Sequence, residues 1–157
     1  MSIQRKYLRE HAFLLTVIRG SLDDRELKQH VTDLTAEAEG LTGLDELADC
    51  MGLEDVTRLS GEGIREAARL EAQRAPALKQ GKLAIVVPTQ LQYGLARMYQ
   101  AICEPFRAEV RVFLEFDPAL EWLASEADPT HVRALREVAR EECGSTGGEA
   151  SSVSSAG

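Results

Sequence analysis

The sequence predicts an α/β fold: a mixed, mostly parallel central sheet of about five strands with helices packed on it, followed by a C-terminal helix and a disordered tail. Two observations carry this. Short apolar runs of strand length alternate with longer stretches whose apolar residues recur at helical spacing, and Pro or Gly punctuates several of the junctions. The length agrees, since 157 residues fit one domain of roughly 100–150 residues with a short appendage.

Residues 3–8 and 12–18 read as two strands joined by a short polar turn. The second (Ala12-Phe13-Leu14-Leu15-Thr16-Val17-Ile18) is nearly all apolar, as expected of a strand covered on both faces. Arg19-Gly20-Ser21 breaks the run. Ser21 is placed to cap the next helix, with Asp23 and Asp24 supplying negative charge to its first turn. Leu27, Val31, Leu34 and Ala38 give that helix one buried face, and Gly40 is a natural stop.

Residues 44–51 hold Leu44, Leu47 and Met51 among Asp45, Glu46 and Asp49, an interrupted strand pattern. A helix follows over 60–75, with Ile64, Ala67, Ala68 and Leu70 facing inward. The clearest strand is 82–87, short, β-branched and closed by Pro88. Leu91, Leu95, Met98 and Ile102 then mark an amphipathic helix that Pro105 ends. Residues 109–116 alternate Val110, Val112, Leu114 and Phe116 against charged neighbours, a strand with one wet face. Asp117-Pro118 opens a short helix with Leu120, Trp122 and Leu123. A last helix is expected over 129–143, and residues 144–157 are Gly-, Ser- and Ala-rich with almost nothing to bury, hence disordered. The organisation is therefore an α/β domain over 1–126, an appended helix within 127–143 and a tail over 144–157.

Apolar residues at 44% suffice for a core, and charged residues at 28% are ordinary for a solvated surface. The formal charge of −8 argues against nucleic acid, whose phosphates need a basic patch, and no run of Lys and Arg supplies one. No segment reaches the roughly 18 apolar residues of a membrane helix. The charged first ten residues lack a signal-peptide core, so a cytoplasmic protein without membrane insertion is expected. Three widely spaced cysteines (Cys50, Cys103, Cys143) imply no disulfide framework.

Catalytic and metal chemistry is hard to assemble, and neither a cofactor nor a metal is expected. His11, His30 and His131 lie outside metal-ligand spacing and read as surface or packing residues. Phosphate loop, dinucleotide fingerprint and nucleophile elbow are all missing. Asp45, Glu46, Asp49, Glu54 and Asp55 form the densest acidic stretch, over 45–55. It reads as a solvated strand end, with a carboxylate-based enzyme site as the minor alternative. Cys50 reads as a small buried hydrophobe. Ser60 stands where a loop becomes a helix, so it reads as an N-cap. A phosphate there would add roughly 1.5–2 negative charges beside the helix start.

Three stretches carry a family resemblance: Val17-Ile18-Arg19-Gly20-Ser21-Leu22; Gly94-Leu95-Ala96-Arg97-Met98-Tyr99-Gln100 after the strand over 83–87; and Val112-Phe113 with Phe116-Asp117-Pro118-Ala119-Leu120-Glu121-Trp122-Leu123. In these the chain resembles the STAS domain, the fold of bacterial anti-sigma-factor antagonists, and more closely the small bacterial STAS/SEC14-like proteins. The antagonists carry an Asp-Ser-Ser-Gly motif whose second serine a partner kinase phosphorylates. The matching stretch here is Arg58-Leu59-Ser60-Gly61, which keeps the serine and glycine and replaces the first two residues.

The resemblance implies a non-enzymatic regulatory or protein-interaction module with a protein partner, switched at Ser60, with Arg58, Gly61, Arg97 and Tyr99 as candidate interaction residues. The SEC14-like side implies instead a carrier or sensor of a small hydrophobic ligand held between helix 89–104 and the sheet. Leu91, Tyr93 and Met98, with Tyr99, are the candidate pocket wall. The edge strand near the N-terminus offers a route to a homodimer.

Overall fold

The computed structural model describes residues 2–74 and 76–124, together with 133, 135–138 and 140. They fall into two units, Met1–Leu123 and Ala124–Gly157. In the second, residues 133, 135–138 and 140 are helical. The rest of the appended helix, and the whole tail over 144–157, lie outside the described residues.

In the first unit the elements run β1 (Ser2–Leu8), β2 (Phe13–Ser21), α1 (Asp24–Glu37), β3 (Asp45–Asp55), α2 (Gly61–Arg74), β4 (Lys82–Val86), α3 (Gln90–Cys103), β5 (Glu109–Phe113) and α4 (Phe116–Leu123). The sheet is laid out in chain order, β1-β2-β3-β4-β5. β1 is antiparallel to β2, and every later pair is parallel. Parallel neighbours need a crossover, and right-handed crossovers that all step in one direction place their helices on one face. α1, α2 and α3 accordingly form one layer, sharing a core with Ile18, Cys50, Leu83 and Ile85. α4 packs on β3, β4 and β5.

The two apolar runs behave as their composition dictates. Phe13 to Ile18 is buried at every position, because α1–α3 cover one face of β2 and its other face is also shielded. Lys82–Val86 is buried from Leu83 onward.

Several local expectations need correction. Ser21 does not cap α1; it ends β2, and the Asp23 carboxylate accepts from the Glu26 amide instead. β3 reaches Asp55, because Leu53 is buried beyond the charged positions and β2 keeps pairing with it through two bulges. β5 stops at Phe113, and Phe116 starts α4. The acidic stretch is not uniformly a solvated strand end. Glu54 and Asp55 are exposed, but Glu46 and Asp49 are buried in the sheet.

Candidate functional site

Between the sheet and the helix layer lies a cavity of about 110 Å³. Its upper wall is apolar: Ile18, Leu53 and Val87 from the sheet, with Leu22, Ile64 and Leu95 from the loop and helices above. Its lower part is polar. Thr16 and Glu46 enter from β2 and β3, His30 from α1, Glu71 from α2 and Tyr99 from α3.

These polar groups are held in a connected set. The Arg107 guanidinium, on the loop before β5, donates through Nη2 to Glu46 Oε1 at 2.8 Å and to Glu71 Oε1 at 3.2 Å. The Thr16 hydroxyl donates to Glu46 Oε2 at 2.9 Å, and the Cys103 thiol donates to Glu71 Oε2 at 3.2 Å. All five side chains are buried. Charges taken so far from water require pairing, and one guanidinium serves both carboxylates. Its Nε and Nη1 have no hydrogen-bond partner among the described residues.

Burial pushes the Glu71 carboxyl up from its ordinary range, against the opposing pull of Arg107. Burial works against the Arg107 charge as well, but Glu71 and Glu46 outweigh it and hold the guanidinium protonated. Burial, then the neighbouring Glu71, raises the Cys103 thiol far out of the reactive range. Cys50 is likewise pushed up, to about 12, by burial. Both are inert packing thiols.

His30 joins this set to the surface. Arg5 from β1 donates through Nε and Nη2 to the two Glu37 oxygens at 2.6 and 2.9 Å, and its Nη1 lies 2.9 Å from His30 Nδ1. A guanidinium nitrogen can only donate, so Nδ1 accepts and the ring proton sits on Nε2. Burial lowers the His30 pKa, which favours the neutral ring that the Arg5 contact requires.

The wall expected from the α3 stripe is displaced. Leu91 is 69% exposed. Neither it, Tyr93 nor Met98 lines the cavity; Gln92, Leu95, Ala96 and Tyr99 do. The inward row (Gln92, Ala96, Cys103) lies one residue along from the expected one. Tyr93 and Arg97 lie instead in a groove between α3 and β5. Tyr99, named both as an interaction residue and as part of the wall, lines the cavity and packs against the core, and burial carries its phenol pKa well above the ordinary value.

Ser60 forms a second, separate corner. Its hydroxyl accepts from the Gly63 amide at 3.0 Å, the geometry of a helix cap. The same hydroxyl donates to Asp24 Oδ2 at 2.5 Å, and the Ser60 amide donates to Asp24 Oδ1 at 2.7 Å. Asp24 lies so close to Gly63 that a Cβ there would overlap its carboxylate. Arg58 is exposed, in a groove with Asp23, Glu26 and Asp55, while Gly61 meets the Met98 methyl.

The fold has a counterpart among solved structures. A solved structure from Shewanella loihica PV-4, an uncharacterised DUF3478-family protein described as having a SpoIIAA-like fold, covers 78% of this chain and 92% of its own at 20% identity, with a TM-score of 0.52. The fold is SpoIIAA-like. That is the STAS fold of the anti-sigma-factor antagonists, as the three sequence stretches implied. No family model matches the chain, and no curated protein sequence matches it. Among the described residues no helix of this STAS-fold chain is long and apolar enough to cross a membrane, and no group of three or more His, Cys, Asp or Glu side chains is arranged to hold a metal.

Proposed function

We propose that this chain is a non-catalytic STAS-type regulatory module that senses or carries a small hydrophobic ligand bound under α3. The observation that carries this reading is the cavity itself. Its wall is mostly apolar, and it is covered by a helix whose large apolar side chains (Leu95, Met98, Ile102) are only partly buried. A lid that packs on the sheet through small residues has less contact to lose when it moves than one seated on large side chains. A void that neighbouring side chains leave unfilled forfeits dispersion contacts, and an apolar ligand restores them.

Mass spectrometry under non-denaturing conditions on protein purified without detergent tests this. A retained mass of a few hundred daltons supports it. Bare polypeptide alone, with no thermal stabilisation across a panel of alcohols, amides and fatty acids, overturns it.

A second reading, a phosphorylation switch for a protein partner, is favoured by Ser60. The hydroxyl is exposed yet joins the start of α2 to Asp24 on α1. A phosphate at that oxygen removes the donated hydrogen and sets a dianion against the Asp24 carboxylate, so the two helix starts separate. Arg58 and Gly61 border this corner and form the surface a partner reads; exposed Arg97 lies on α3. A partner captured by the wild type and lost with Ser60→Asp supports the switch. Equal capture reduces Ser60 to a cap. The sheet order leaves β1 at one edge, the route by which a second copy pairs into a homodimer.

A further inference from the structure

We infer that the cavity is selective for ligands with an uncharged hydrogen-bond donor, an alcohol or a primary amide, and refuses carboxylates. The inference rests on the ligand-binding reading above and concerns the chemistry of the ligand's polar end.

The polar atoms that line the cavity are mostly acceptors. Glu46 and Glu71 each present a carboxyl group; Glu71 already accepts from Arg107, Cys103 and Tyr99, whereas each Glu46 oxygen accepts one bond and keeps further lone-pair capacity. Gln92, only 5% exposed, spends its amide nitrogen on the Leu53 carbonyl at 3.0 Å. That bond fixes which end of the amide is oxygen, and the Oε1 so placed has no partner among the described residues. A buried acceptor left unmet is a standing cost that a ligand donor removes.

The donors are few. The Thr16 hydroxyl is committed to Glu46 and the Tyr99 hydroxyl to Glu71, and Arg107 is not among the residues of the lining. His30 remains, with its proton on Nε2 because Nδ1 accepts from Arg5. A hydroxyl or a primary amide donates to the acceptors and can also accept from His30. A carboxylate can only accept, and in a low-dielectric space it faces Glu46 and Glu71, whose repulsion water does not screen.

The experiment compares 1-octanol, octanamide and octanoate, matched in chain length, by calorimetric titration at about pH 7.5, where the acid is ionised. The alcohol and the amide are expected to bind at least tenfold more tightly than octanoate. Octanoate binding as tightly or more tightly overturns the selectivity and leaves the cavity reading standing. No binding of any of the three overturns both. Ala96→Met fills the cavity from α3 and is expected to weaken the alcohol at least tenfold. Ala48→Val does so from the sheet side should the first variant fail to fold. Undiminished alcohol binding in a folded variant of either kind shows that the cavity is not the site and overturns the inference.

Discussion

Arg107 and Glu46 lie 61 positions apart in sequence and meet at 2.8 Å, the guanidinium nitrogen directed at the carboxylate oxygen, with both side chains almost wholly out of solvent. The contact joins the loop before β5 to the second residue of β3, and through Glu71 it includes α2. Three elements thus share one positive charge.

Replacing that charge should therefore be expensive. Arg107→Met leaves Glu46 and Glu71 facing each other without a cation, and breaking a buried pair in this way costs about 3–5 kcal/mol. Chemical denaturation should show a loss of that size. Arg107→Lys should recover only part of it, because the more strongly hydrated ammonium costs more to bury and its shorter side chain ends short of the Nη2 position that serves both carboxylates.

The pH dependence has a definite sign. Burial disfavours the charged form of His30, with Glu46, Arg5, Asp33 and Glu37 contributing smaller effects, so its folded pKa lies below the unfolded value of about 6.5. Below that pH the unfolded chain takes up a proton that the folded chain refuses, and stability falls as pH falls toward the folded pKa. Glu71 acts oppositely: burial raises its folded pKa, so its contribution falls as pH rises from the unfolded value of about 4.5. His30→Leu should flatten the decline in melting temperature between about pH 7 and 5.5, leaving only the opposing slope. An unchanged decline would mean the ring is already charged in the folded protein.

Much of the architecture could be read from the sequence, and the part that could not has a common cause. β2 and β4 announced themselves because strands buried on both faces are continuous apolar runs. The limits of β3 were obscured by Glu46 and Asp49, acids at buried positions. What makes Glu46 tolerable there is Thr16 on one neighbouring element and Arg107 on a distant loop, and no local pattern announces either. Pro105-Phe106-Arg107 looked only like the end of a helix. Periodicity found α3 but misjudged its rotation, since Leu91 and Gln92 head adjacent rows and hydropathy favours the wrong one. Ser60 as a cap was legible, because capping is local; its bond to Asp24 was not, because it crosses between helices.

That crossing bond is measurable by a double-mutant cycle. Ser60→Ala loses the cap, about 1 kcal/mol, and the link to Asp24 as well. Asp24→Ala loses that link together with the bond from the Ser60 amide and a first-turn carboxylate of α1. The two effects should fall short of additivity by about 0.5 kcal/mol or more, since the second substitution finds the link already gone. Strict additivity would show that the bond contributes nothing to stability.

Two glycines should respond in opposite directions to alanine. A Cβ at Gly81 would overlap the Leu44 carbonyl oxygen, a backbone atom that cannot swing aside. Gly81→Ala should cost more than about 2 kcal/mol, within the range of overpacked sites. Gly94 lies inside α3 with open space where its Cβ would stand. Gly94→Ala should stabilise by about 0.5–1 kcal/mol, the usual gain in a helix interior. Thermal melts of the two variants give the comparison directly.

Because the strands lie in the sheet in the order they are synthesised, each new β-α unit emerging from the ribosome finds its docking edge already present. Assembly can follow translation without any strand waiting for a later neighbour to be inserted. The charged floor interrupts this schedule at one point. Glu46 and Glu71 are both in place well before Arg107 appears, so the nascent layer holds two carboxylates that lack their cation. Closure of the core waits for the loop ahead of the last strand, whose arrival neutralises the buried charge.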